Sequence, residues 1–315
     1  MDFRPVLSPI TIGHSFATSA PYDLSAQAEI RVNGSLIYTL LKNYATNLNR
    51  SIYFEVGEIL RDYVEVEFDG TYPNITPPTA TIDFEIFDAI NAGGNSVYTS
   101  TDTFKIVKGY TYFQQGANVI YTTDQFATDA RTIYVPENTA GRLPVFNTTN
   151  GQLQYTNYTA TQQTKTFAGQ TVNIVRFCEP KYTPYKVTFV NKFGALEDTY
   201  FSLLRRDIST LSSESYKRHI TDPIGEYNIN DHSYATYNVK AKDTLTLNTP
   251  FVDDAYNDIF FQLLARQQIW IYENSAAIPI KPITKTLDRK TNLNDRLVQY
   301  TMEFEYAFDK INNIA

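Results

Sequence analysis

The side chains that could perform chemistry are few and scattered. Three histidines, His14, His219 and His232, are the groups suited to metal ligation or general-base work near neutral pH. None has a second histidine or a carboxylate at the i, i+4 spacing that sets two ligands on one helix face, so each reads as an exposed or hydrogen-bonded histidine. Paired acids occur as Asp253-Asp254, Glu65 with Glu67, and Glu303 with Glu305. A glycosidase needs two carboxyl groups facing each other across a sugar. Residues at i and i+2 of a strand instead share one face, and a solvated strand face accounts for the last two pairs. Asp253-Asp254 suits the positive end of a helix. Serine and threonine are plentiful, yet no Gly-x-Ser-x-Gly elbow occurs and bases to activate a hydroxyl are scarce. Gly93-Gly94 is followed by no Lys-Thr or Lys-Ser, so no phosphate cradle is expected. The single cysteine, Cys178, excludes an intrachain disulfide and a thiolate zinc site. The expectation is a non-enzyme with no catalytic residue, no metal and no cofactor.

What remains is surface for contact. The chain has 24 Tyr, 20 Phe and 1 Trp in 315 residues, and Tyr covers much area at little entropic cost. Tyr110, Tyr112, Tyr155 and Tyr158 fall in an irregular middle stretch, where they would serve a protein interface or stack on sugar rings. Lys240 and Lys242 on one strand, with Glu303 and Glu305 on another, are candidates for charge pairs across strands or between subunits. The net charge of -7, with no run of Lys and Arg to track phosphates, argues against nucleic acid and anionic membrane as partners. The opening Met1-Asp2-Phe3-Arg4-Pro5 has no basic segment followed by an apolar run, so no secretory signal is expected. No stretch approaches the roughly 20 apolar residues that a spanning helix needs.

The elements that must position these residues are mainly strands, since the abundant aromatic and β-branched types favour a half-buried pleated surface. Residues 1–108 read as a β-sandwich of immunoglobulin or fibronectin type. Ala28–Val32 and Ser35–Leu40 are joined by Asn33-Gly34, the strongest short hairpin signal. Ile52–Val56, a helical turn at Glu58–Tyr63, a strand at Val64–Glu67, a Pro73–Pro78 loop and Thr81–Phe87 follow. Residues 109–171 read as a loop-rich connecting region with a few strands, such as Arg131–Val135. Residues 172–315 read as an α+β domain. Tyr185–Phe189, Tyr200–Leu204, Tyr237–Leu247 and Gln268–Tyr272 are its strands, and one amphipathic helix of about four turns covers 250–265, packed on the sheet. Val298 to Phe308 alternates so regularly that it reads as one long closing strand.

The run Phe189-Val190-Asn191-Lys192-Phe193-Gly194-Ala195-Leu196-Glu197-Asp198-Thr199-Tyr200-Phe201 resembles a stretch in structural proteins of tailed phages infecting Bacteroidetes-type bacteria. Leu245–Thr249, Ile269–Ile271 and Tyr300–Phe308 match the order of elements in those proteins, and the Ile52–Val56 to Arg61–Val64 passage is similar too. The resemblance implies a virion protein of the tail, baseplate or head-to-tail region, made in the host cytoplasm. It would be a homo-oligomer, closed as a ring and touching other virion proteins. The alternative is a carbohydrate-binding or adhesin module that meets host glycans with Tyr155 and Tyr158.

Overall fold

The computed structural model describes residues 1–16, 23–44, 51–88, 94–177, 182–221, 223–226, 229–266, 268–289 and 297–311. Gly93 and Cys178 lie outside them. The protein is mainly β, with two short α-helices among the described residues. The chain forms two compact units. Unit 1 holds residues 1–176 and 189–198, and unit 2 holds 177–188 and 199–315.

In unit 1, β1 (Phe3–Pro5), β3 (Leu24–Val32), β4 (Ser35–Tyr44), β6 (Thr79–Phe87) and β7 (Ser96–Val107) form a sheet in the order β1-β7-β6-β3-β4. Only β1 runs parallel to its neighbour. Asn33 and Gly34 take the expected turn, with φ of 51° and 84°. Every second residue of β6, from Ala80 to Ile86, is buried. These side chains share one core with Ile12, Ile52 and Phe54 of a second, two-stranded layer, β2 (Thr11–Ser15) and β5 (Ser51–Glu55). After α1 (Gly57–Leu60), the expected strand at Val64–Glu67 is extended but joins no ladder among the described residues. Val64, Val66 and Phe68 still point inward while Glu65, Glu67 and Asp69 face water.

Residues 109–171, read from sequence as a loop-rich connecting region with a few strands, group with unit 1 and carry five strands and the start of a sixth. β8 (Gln125–Phe126), β10 (Ala140–Asn147) and β11 (Gln152–Thr159) form one sheet. β9 (Thr132–Pro136), β12 (Thr164–Phe167) and β13 (Gln170–Phe177) form another. The polar stretches that resembled long loops are tight turns, held by side chains of the turn itself at Asn147 and Gln162 and by the sequence-distant Asp124 at Thr148. Asn147 Oδ1 accepts from Asn150 N at 3.0 Å, Asp124 accepts from Thr148 N at 2.7 Å, and Gln162 Oε1 accepts from Thr159 N at 3.1 Å.

Unit 2 is built on a seven-stranded sheet. Its members are β14 (Tyr185–Val190), β15 (Leu196–Phe201), β16 (Arg206–Lys217), β17 (Tyr234–Asn248), β19 (Ile269–Glu273), β20 (Ala276–Pro282) and β22 (Thr301–Tyr306), ordered β15-β14-β19-β20-β22-β17-β16. The residues of β14 and β15 nearest their connecting turn group with unit 1. A separate pair joins β18 (Val252–Asp253) to β21 (Leu297–Val298).

Two expectations need correction. The helix expected over 250–265 is α2, only Asn257–Leu264, because Val252-Asp253 is strand and a 3-10 turn at Asp254–Tyr256 comes first. Asp253 caps that turn by accepting from Ala255 N at 3.0 Å, as an acid at a positive helical end should. The closing strand breaks at Gln299-Tyr300, where Thr249 donates its backbone N–H to Tyr300 O and accepts from Tyr300 N, each at 2.9 Å. Burial still alternates through Val298, Tyr300, Met302 and Phe304. The period therefore reported the inward face correctly and the ladder incorrectly.

Candidate interaction surface

β16 and β17 pair antiparallel from Arg206 with Thr246 to Lys217 with Tyr234. All twelve residues of β16 are exposed, so neither of its faces is covered. At about 3.3 Å per residue the strand spans roughly 40 Å. On its other side β17 pairs with β22 from Thr244 to Asn248, and among the described residues no strand pairs with the ten residues before Thr244, where the hairpin is a two-stranded ribbon. The ribbon has one irregularity. Between Ser212 and Glu214 the partner advances from Lys240 to Tyr237, which puts the extra residue on β17, where Asn238 takes φ of 50°. The outer strand β16 therefore stays regular and contains no proline.

Apolar side chains on this ribbon face water. Leu211 is 68% exposed, Tyr234 62% and Tyr216 55%, with Ile208 and Tyr237 also exposed. Tyr216 and Tyr237 meet edge to face with ring centroids 5.8 Å apart. Glu214 is held below the usual carboxylate range by hydrogen bonds from Tyr237 and Asn238, and so stays ionised. At the base, Arg205 binds Asp207 at 2.7 Å, pairs with Glu273 and lies over the Tyr185 ring at 4.6 Å. The ribbon is anchored there, and Lys310 holds its lower part, its backbone N–H donating to Ala241 O at 2.8 Å and its ammonium pairing with Asp243 at 2.8 Å.

Of the residues singled out from sequence, Lys240 and Lys242 are exposed on β17. Lys242 reaches Glu305 of β22 at 4.0 Å, and Lys281 reaches the same carboxylate at 3.7 Å, so one of the anticipated charge pairs forms across strands within the chain. Glu303 is exposed, and its backbone N–H donates to Thr284 Oγ1 at 2.8 Å. Tyr155 and Tyr158 do not sit on loops but on β11. Tyr158 is 3% exposed and covers Gly141 of the facing strand, where a Cβ would fall 2.2 Å from its hydroxyl. Tyr155 is half-buried, its hydroxyl accepts from Leu196 N at 3.1 Å, and burial pushes that hydroxyl above the ordinary phenol range. Neither ring lies open as a platform for a sugar.

A polar cluster that the sequence reading did not single out lies in unit 1, on residues 189–198. Asn191 is fully buried and donates to Ala127 O and to Glu197, each at 2.7 Å. Its Oδ1 accepts from Phe193 N at 3.0 Å and Ala195 N at 3.1 Å. Thr128 donates to the other oxygen of Glu197 at 2.6 Å. Burial pushes the Glu197 carboxyl up to about 7, against the pull of those two hydrogen bonds. Lys192 binds Asp129 at 2.7 Å. Gly194, at φ of 79°, lies so close to the Lys108 backbone that a Cβ would fall 2.8 Å from its nitrogen. The cluster is closed and internally bonded, which suits holding a loop rather than attacking a substrate. No group of three or more His, Cys, Asp or Glu is placed to hold a metal among the described residues. Within the same limits, no helix is long and apolar enough to cross a membrane.

Compared with known protein families, with curated proteins and with solved structures, the chain matches none.

Proposed function

We propose that this chain is a non-catalytic virion structural protein of the tail, baseplate or head-to-tail region, and that it assembles with copies of itself and its neighbours into a ring or shell. The observation that carries the reading is the β16–β17 ribbon. A two-stranded hairpin is marginally stable alone in water, and an open, regular edge carrying exposed leucine and tyrosine invites strand pairing. Proteins that keep such an edge cover it, and a neighbouring subunit supplies both the missing hydrogen-bond partners and the apolar contact. The proposal extends to architecture. The five-stranded sheet with its two-stranded partner is an immunoglobulin- or fibronectin-like sandwich, and the seven-stranded sheet with α2 is the α+β domain.

The test is sedimentation velocity on the purified full chain over a wide concentration range, followed by electron microscopy. Concentration-dependent oligomers that close into rings, and that disappear when Leu211 and Tyr216 are both changed to Lys, are expected. A wild-type chain that stays monomeric at every concentration overturns the reading.

A further inference from the structure

Unit 2 contains a cleft of about 820 Å3 between the C-terminal end of α2 and the β19–β20 hairpin. Trp270, Pro279 and Pro282 give it an apolar wall, and Arg266, Lys281 and Lys285 line it with positive charge. No carboxylate is among the described residues that line it. In a chain of net charge -7, this is a local reversal of sign. The C-terminal end of α2 favours a cation and accounts for Arg266. It does not account for the two lysines. Lys281 shares Glu305 with Lys242, whereas Lys285 is exposed and makes no ion pair among the described residues.

The complementary feature lies in unit 1. Along the extended run Val64–Asp69 the apolar side chains turn inward, so Glu65, Glu67 and Asp69 project on one side, about 7 Å apart from one to the next. Glu65 and Glu67 make no hydrogen bond or ion pair among the described residues. Asp69 accepts from Thr71 N at 2.8 Å and from its hydroxyl at 2.6 Å, bonds that favour the ionised form. Elsewhere in unit 1, close acids are compensated, as Glu29 and Asp83 are by Arg31. Here three like charges stand in a row facing water.

We infer that the cationic cleft of one copy receives the Glu65–Glu67–Asp69 stripe of a second copy. The inference rests on the assembly reading above and names a second contact by which copies meet. Lys281 and Lys285 take the carboxylates, while the glutamate stems lie against Trp270 and the prolines. Cleft and stripe are different patches, so the contact is head-to-tail. Each bound copy leaves one cleft and one stripe open for the next, as a ring requires.

Charge reversal tests this. In one variant Lys281 and Lys285 become Glu, and in the other Glu65 and Glu67 become Lys. Each alone should weaken self-association roughly tenfold or more, because like charges then face each other. Mixing the two should restore association, and the emission of Trp270, the single tryptophan, should shift on mixing. Lys285→Glu alone, at an exposed position, guards against misfolding of the double variant and should give a partial loss. If the wild type associates and loses that association with the ribbon variant, but neither reversal matters, this inference falls and the assembly reading stands. A wild-type chain that is monomeric throughout sinks both. Reversals that weaken association but fail to complement on mixing overturn the pairing. So does a synthetic acidic peptide of residues 63–70 that shifts Trp270 emission without displacing the second copy, since the cleft would then belong to a foreign acidic partner.

Discussion

The turn that joins β14 to β15 and the β16–β17 ribbon follow one another along the chain and use their side chains in opposite ways. In the first, Val190 to Glu197 are all buried, and the polar members Asn191 and Glu197 bond only to protein groups. In the second, twelve consecutive residues are exposed, apolar ones included. A polar group in the interior has given up water and must find every partner nearby. An apolar group left at the surface stays in contact with water, and burying it would be favourable. The contrast separates buried residues that hold unit 1 together from exposed residues that bury little within the chain, and it predicts opposite outcomes for mutation.

The largest effect is expected at Asn191. Asn191→Ala leaves Ala127 O, two backbone N–H groups and Glu197 short of partners in the interior, and should cost about 3–5 kcal/mol in denaturant unfolding. A loss below 1 kcal/mol would mean that the turn is not held by this cluster. Next is Glu197, whose carboxyl is pushed by burial up to about 7 from its ordinary 4.5. Its contribution to stability is fully present below about 4.5 and is lost as pH rises through about 7. The wild type should therefore weaken between about pH 4.5 and 7, by up to about 3 kcal/mol from this group. Glu197→Gln should flatten that slope, and an unchanged slope would assign the pH dependence elsewhere.

On the ribbon the order reverses. Leu211→Lys with Tyr216→Lys should leave chemical unfolding within about 0.5 kcal/mol of the wild type, because these side chains bury little in the isolated chain. The same variant should abolish assembly. If it instead unfolds the chain, the ribbon belongs to the internal core and the comparison fails. The smallest effect is expected at the Lys242–Glu305 pair, 4.0 Å apart with an exposed lysine, where a double-mutant cycle should return less than about 1 kcal/mol.

Some of this was legible in residues alone. The Asn33-Gly34 turn, the alternation of β6 and the inward set from Val298 to Phe304 follow from local chemistry. Positive φ needs Asn or Gly, and a strand's side chains alternate whatever it pairs with. For the same reason the run Val64–Glu67 reads as a strand although it joins no ladder among the described residues. Alternation records which side faces the core and is silent about hydrogen-bond neighbours. Residues 109–171 read as loop-rich with a few strands because Asn and Gln that bond their own turn backbone are written with the letters of exposed linkers.

The exposed ribbon is less legible in the residues than the fold is. Tyr155 and Tyr158 were chosen because they are tyrosines among polar residues, a composition that a buried hairpin and an exposed loop share; only the packing of β11 shows that Tyr158 lies inside. Conversely, β16 reads Arg-Asp-Ile-Ser-Thr-Leu-Ser-Ser-Glu-Ser-Tyr-Lys, with no periodicity that marks it as special. The chain's composition and local patterning determined that it is mainly β and where its main turns fall. Whether a strand is covered on two faces, one or none was decided by the tertiary structure, because burial belongs to pairs of segments distant in sequence and no single segment encodes it.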